Sequence, residues 1–227
     1  MNIVNTSSLA ATIDAINEAC FFEKPLPRSQ KEKAAKWIAG RQGLPGSYRG
    51  MFAPTQRDFA EGVKVFTGES VRSRAAVGHI LGEEACRALV MLDPDSDYAR
   101  DAVERARNGL MEAVRQYETG ESSGFYCCGI CSVAFWRNLS VGGLEDSRER
   151  LKDGIGKMRM LRRPDGKWGR FPFFYSLLAL SEIDIPEARE EMSFAAPECR
   201  RVLRAAKRSN RTSVRRRMVA ERVLENI

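Results

Sequence analysis

Apolar residues recur along most of this chain at intervals of three and four, and no segment of any length alternates with period two. Leu9, Ile13, Ile16 and Cys20 trace one helical face behind a capping Thr6 or Ser7, and Pro25 and Pro27 close that region. Ser29 starts a second helix through Ala34, Trp37 and Ile38, which the Gly43-Leu44-Pro45-Gly46 turn stops. Asp58 to Phe66 and Val71 to Leu92 read as helices split at Thr67-Gly68-Glu69, with Ser70 as a cap. Tyr98 to Tyr117 is strongly amphipathic: Ala99, Val103, Ala106, Leu110, Val114 and Tyr117 form one stripe and charges lie opposite, the pattern of an outer layer. Ile130 to Leu139 is apolar almost all round, as in a buried inner helix, and Leu144 to Met160 returns to the charged amphipathic type. An apolar Phe173 to Leu180 follows. Pro186 then opens a helical segment to Met192, Pro197 begins another through Ala206, and Ser213 caps a last one. The pattern predicts an all-α fold of about ten helices in hairpin pairs.

The helices are punctuated by a repeated turn. Gly166-Lys167-Trp168, leading to Ser176, has the same layout as Gly46-Ser47-Tyr48 leading to Thr55 and Gly124-Phe125-Tyr126 leading to Ser132. The glycines stand 78 and 42 residues apart, which fits a unit of about 40 residues with one degenerate copy. A glycine there suits a turn that needs positive φ, and the aromatic two residues on can fold back over the next helix.

Gln42-x-x-x-Gly46-x-Tyr48 is similar to the QxxxGxW signature of squalene and hopene cyclases. Asp165-Gly166-Lys167-Trp168 before Leu177-Leu178-Ala179-Leu180 looks like the turn and inner helix of protein prenyltransferase beta-subunit repeats. The resemblance, to the α/α-toroid superfamily, spans about Trp37 to Leu180. It implies α-hairpin repeats arranged as a partial α/α toroid, with a central cavity that is often lined by aromatic residues. Arg162 and Gly120 stand where the later copies should have glutamine, and Tyr48 and Tyr126 replace tryptophan. No Asp-x-Asp-Asp acid motif of the cyclising enzymes is present; Asp93-Pro94-Asp95-Ser96-Asp97 reads as a turn whose Ser96 or Asp97 caps the next helix.

Length and composition add few bounds. At 227 residues and 43% apolar content the chain can bury a sizeable core, and a single helical-repeat domain over residues 1–227 is the simplest organisation. No run of 18 apolar residues exists, and residues 1–10 lack the features of a signal peptide, so a cytoplasmic protein without a membrane span is expected. Six cysteines at irregular spacings point to reduced thiols. The net charge of +7 is concentrated in a basic helical end, residues 197–227. Arg200, Arg201, Arg204, Lys207, Arg208, Arg211, Arg215, Arg216 and Arg217 come without an acid between them. They either pair with acids such as Glu187, Glu190 and Glu191 or meet an acidic partner, nucleic acid or protein.

Two groups of residues carry candidate chemistry. His79, Glu83 and Cys86 share one helical face by their spacing, and Cys127, Cys128 and Cys131 cluster at a loop-to-helix junction. Imidazole, carboxylate and thiolate suit zinc, so His79, Glu83, Cys86, Cys127 and Cys131 are candidate ligands; otherwise they are small buried groups of the core. Cys127 or Cys128, just before an inner helix, can have its thiol acidified by the helix dipole and act as a nucleophile, with His79 as the one available base. The resemblance points to the inner ends of the helices as the binding region. Tyr48, Tyr126, Cys127, Cys131, Trp168, Arg170, Phe171 and Tyr175 are the candidate ligand-binding residues, for a small and mainly apolar molecule. Catalysis and homo-oligomerisation are left open. The expected function is binding of that molecule on a concave inner face. The alternative is a non-catalytic scaffold contacting nucleic acid or an acidic protein through its C-terminal helices.

Overall fold

The structure, a computed structural model, describes residues 2–117, 125–205 and 210–227. Ten helices run through them: α1 (Leu9–Phe21), α2 (Arg28–Ala39), α3 (Gln56–Glu61), α4 (Arg74–Leu92), α5 (Asp97–Tyr117), α6 (Gly129–Ser140), α7 (Ser147–Arg159), α8 (Phe173–Glu182), α9 (Pro186–Ala205) and α10 (Arg211–Glu225). Two short strands, β1 (Val63–Lys64) and β2 (Ser70–Val71), pair antiparallel with Val63 opposite Val71. The fold is all-α. No described helix is long and apolar enough to cross a membrane.

Local chemistry moves several boundaries from where the periodicity put them. Ser8 caps α1 by accepting the Ala11 N–H, Ser73 caps α4 in the same way, and Asn210 caps α10 in a capping box with Ser213. The helix expected over Asp58 to Phe66 ends at Glu61, because the next residues extend into β1; two-residue strands are too short to leave an alternating pattern. Pro197 lies inside α9 instead of opening a new helix. Its missing N–H and ring clash cost about 3 kcal/mol in isolation. Met192, Ala195, Ala196 and Cys199 are buried on both sides of it, and their packing carries the helix through.

Contacts divide the chain into two compact units, Met1–Val65 with Ser70–Thr119, and Phe66–Glu69 with Gly120–Ile227. In the first, α4 is buried on nearly every side, and α1, α2, α3 and α5 pack on it. The predicted stripe Ala99, Val103, Ala106, Leu110 and Val114 of α5 is buried throughout. Buried Asp58 ties two helix starts together: its carboxylate accepts the N–H groups of Leu9 and Thr55 at 2.9 and 2.8 Å and the Ser8 hydroxyl at 2.6 Å. Such an anion also complements the positive ends of both helices.

In the second unit α8 is central, with α6, α9 and α10 against it and α7 packed on α6 and α9. The short segment Phe66–Glu69 is held by the basic helix α10. Buried Arg215 donates to the Phe66 carbonyl at 3.0 Å and stacks its guanidinium 4.0 Å from the Phe66 ring centre. Arg216 donates to the Thr67 carbonyl at 2.7 Å, and the Glu69 carboxylate accepts the Tyr175 N–H in the first turn of α8 at 3.2 Å.

The repeated turns share local backbone features. Gly46 and Gly166 have φ of 89° and 75°, the region the turn requires, while Gly124 lies outside the described residues. Gln42 bridges to Phe52 across the first turn, and Arg162, at the same offset from its glycine, bridges to Trp168 across the last. In all three copies the aromatic is followed within two residues by a left-handed residue that is not glycine: Arg49 (φ 51°), Cys127 (φ 65°) and Arg170 (φ 66°). That conformation costs about 1 kcal/mol or more for a residue with a Cβ, so the surroundings of each turn impose it.

Candidate functional site

The start of α6 concentrates the reactive groups of the second unit. Gly129 opens the helix because a left-handed Cys127 and an extended Cys128 (φ −142°, ψ 172°) bring the chain into it, leaving Cys128 at the N-cap. Cys131 then falls one turn into the helix, where it is fully buried, while Cys127 and Cys128 remain exposed. The sulfurs of Cys127 and Cys131 lie within 4.8 Å of one another. Behind them the third turn packs directly on the helix: a Cβ on Gly129 would overlap the Arg170 carbonyl and come within 3.2 Å of the Phe171 Cα. Only glycine lets that backbone approach so closely.

This arrangement splits the acidities of two thiols three residues apart. The Cys131 thiol donates to Cys128 and, with the N–H groups of Cys131 and Ile130 and the Cys127 thiol, lowers the Cys128 thiol to about 5, against the opposing effect of its partial burial. Cys128 makes no side-chain cap hydrogen bond, and the positive end of α6 favours its anion. Cys131 shifts the other way, first because its hydrogen bond to Cys128 holds its proton and then because it is buried. The remaining thiol of this unit, Cys199, is buried and pushed up to about 12.

The aromatic candidates are brought together, but mainly with one another. Phe171 stacks on Trp136 at 5.4 Å and meets Phe125 edge-on at 5.7 Å, and Tyr126 meets Phe135 at 5.8 Å. Tyr126, Phe171 and Tyr175 are buried; the guanidinium of Arg137, itself ion-paired to Glu182, lies 5.5 Å from the Tyr175 ring centre. Trp168 is buried and donates its indole N–H to Glu191 at 2.9 Å. Arg170 is exposed. These rings form the core of the second unit around α6 and α8. Tyr48 belongs to the first unit, half-buried and stacked on the His79 imidazole at 4.5 Å. An open groove of about 430 Å³ in that unit is lined by Ile3, Glu18, Lys24, Leu26 and Gln30, among others, and by none of the expected ligand-binding residues.

The metal candidates fall in both units. In the first, His79 and Glu83 are buried one turn apart on α4, with Nε2 and Oε1 3.3 Å from each other. Cys86, also on α4, has its thiol pushed up by burial first and by the Glu83 charge second, with Arg107 opposing. It is therefore protonated, as a small core residue is. Cys127 and Cys131 belong to the thiol cluster at α6.

The basic end is partly consumed within the fold. Arg215 and Arg216 hold Phe66–Glu69, Arg217 donates to the Leu203 carbonyl and pairs with Glu221, and Arg201 pairs with Glu198. The acids expected to offset it are engaged elsewhere: Glu187 with Lys152, Glu190 with Arg159, and Glu191 with Arg159 and Arg162. Lys207 and Arg208 lie outside the described residues.

The sequence places Cys128 in the thiol cluster and as a candidate nucleophile, but outside the expected ligand-binding set. The missed signal was Cys128-Gly129-Ile130-Cys131 itself, a C-x-x-C at the mouth of an apolar helix. No family model matches this sequence, and no curated protein or solved structure matches it either.

Proposed function

We propose that the protein works through Cys128, as a nucleophilic thiolate that bonds covalently to the electrophilic centre of a small ligand. The observation that carries this reading is an exposed thiol at the N-cap of α6, where the positive end of the helix favours its anion. An anion prepared in this way needs no general base. Half-buried Phe125, edge-on to Phe171, offers an apolar face in the same segment for the body of the ligand. The expected binding of a small, mainly apolar molecule thereby acquires a reactive end, within a fold that on its turn motifs we assign to a partial α/α toroid.

Alkylation by iodoacetamide, followed residue by residue with mass spectrometry, tests this directly. Cys128 is expected to react at a rate nearly independent of pH between about 6.5 and 8.5 and to slow only as pH approaches about 5. Cys86 and Cys199 stay unmodified in the folded protein. A Cys128 rate that climbs tenfold per pH unit up to about pH 8, as an ordinary thiol of pKa near 8.5 does, overturns the reading. The same shift couples to folding. Because folding lowers this thiol from 9.0 to about 5, its contribution to stability is complete above about pH 9 and is lost as pH falls through about 5.

A second reading is favoured by Arg200 and Arg204. They stand exposed one turn apart on α9, with no ion pair to an acid among the described residues, in a stretch that carries no acid from 200 to 217. Such a face fits the phosphate backbone of a nucleic acid. Titrating fluorescent duplex and single-stranded oligonucleotides is expected to give affinity that falls at least tenfold between about 50 and 200 mM salt, with Arg200→Ala/Arg204→Ala reducing it. No binding at the lower salt removes nucleic acid as a partner.

A further inference from the structure

We infer that Cys128 and Cys131 form a reversible dithiol–disulfide couple whose substrates are disulfides. The inference rests on the thiolate reading above and adds a second residue, a substrate class and a two-electron step. The geometry supports each part. The outer thiol is exposed and can reach a disulfide in solution, while the inner one is fully buried a turn deeper. N-cap and third helical residue lie on the same side of the first turn, which is why their side chains meet. Among the other cysteines, Cys86 and Cys199 are buried, and Cys20 sits half-buried on α1.

The exchange balances without any further reactant. The Cys128 thiolate attacks one sulfur of a substrate R–S–S–R′; the Cys128–S–S–R bond forms and R′–S⁻ leaves, taking a proton from water. Cys131, one turn below the mixed disulfide, gives up its proton to water. Its thiolate attacks the Cys128 sulfur, closes the Cys128–Cys131 disulfide and releases R–S⁻, which is protonated in turn. The protein dithiol has lost two electrons and two protons, and the substrate disulfide has become two thiols. A dithiol reductant runs the steps backwards. Thiolate–disulfide exchange at an exposed sulfur runs in both directions, so the disulfide is expected to equilibrate with glutathione.

The test uses the full chain in buffers of defined reduced-to-oxidised glutathione ratio at neutral pH, quenched in acid and mapped by mass spectrometry. The expected product is an internal Cys128–Cys131 disulfide, two hydrogens lighter, whose amount follows the glutathione ratio. Cys131→Ala, which keeps an apolar side chain in the buried site, is expected to trap glutathione on Cys128 as a stable mixed disulfide. Wild-type protein that stops at that mixed disulfide, or that closes Cys127 onto Cys131 instead, overturns the couple while leaving the Cys128 thiolate standing. A Cys128 that fails both to alkylate below neutral pH and to take up glutathione overturns both.

Discussion

Gly129→Ala is expected to destabilise the protein by about 3 kcal/mol, near the upper end of what overpacking a close contact does. For a chain of this length that corresponds to a fall in Tm of roughly 6–12 °C. The added Cβ meets the Arg170 carbonyl and the Phe171 Cα, both of them backbone, so no side chain can swing aside. Relief requires the third turn to withdraw from α6, and Arg170 is already held left-handed there. The control is Gly156→Ala on α7, where a Cβ meets nothing within 4 Å. There the helix gains propensity, and stability is expected to rise by about 0.5–1 kcal/mol. Thermal and urea unfolding of the two variants should therefore move in opposite directions. Equal small effects would mean that the turn does not press on the start of α6. The same variant should raise the pH at which Cys128 alkylates, since shifting the helix start misaligns the N–H groups of Ile130 and Cys131.

The second large effect is expected at Glu191. Its fully buried carboxylate accepts from Arg159 Nε at 2.9 Å, Arg162 Nε at 3.0 Å and the Trp168 indole at 2.9 Å, joining α7, the third turn and α9. Removing one side of a buried ionic cluster costs about 3–5 kcal/mol when the other side stays buried. Here Arg159 and Arg162 keep 39% and 33% of their side chains exposed and can recover water, whereas the buried Trp168 N–H cannot. Glu191→Ala is thus expected to cost about 2–3 kcal/mol, and Glu191→Gln less, because an amide oxygen still accepts the indole proton. Denaturant titration orders the three proteins. A loss below about 0.5 kcal/mol for the alanine variant would show that the cluster contributes no more than exposed ion pairs do.

Local patterns in the sequence were enough to place the elements and their turns. Period-3.6 apolar spacing gave α5 and its buried face, apolar composition all round gave α6 and α8, and the glycines at 46 and 166 announced turns with positive φ, because these signals are local to a few residues. It also placed two thiols ahead of an inner helix. What it could not determine was which neighbour satisfies each polar group, since that depends on residues far apart in the chain. Glu191 looked like a counter-charge for the basic end, yet the turn brings Arg159, Arg162 and Trp168 to it. Arg215 and Arg216 were expected to meet acids of the chain or an acidic partner, yet they bind the carbonyls of Phe66 and Thr67, 149 residues away. Pro197 looked like a helix start until packing on both sides overrode it. The distinction between Cys127, Cys128 and Cys131 also belongs to the tertiary structure. Spacing makes the three alike, and only the fold exposes one at the N-cap, buries another a turn below and sets the third in a left-handed turn.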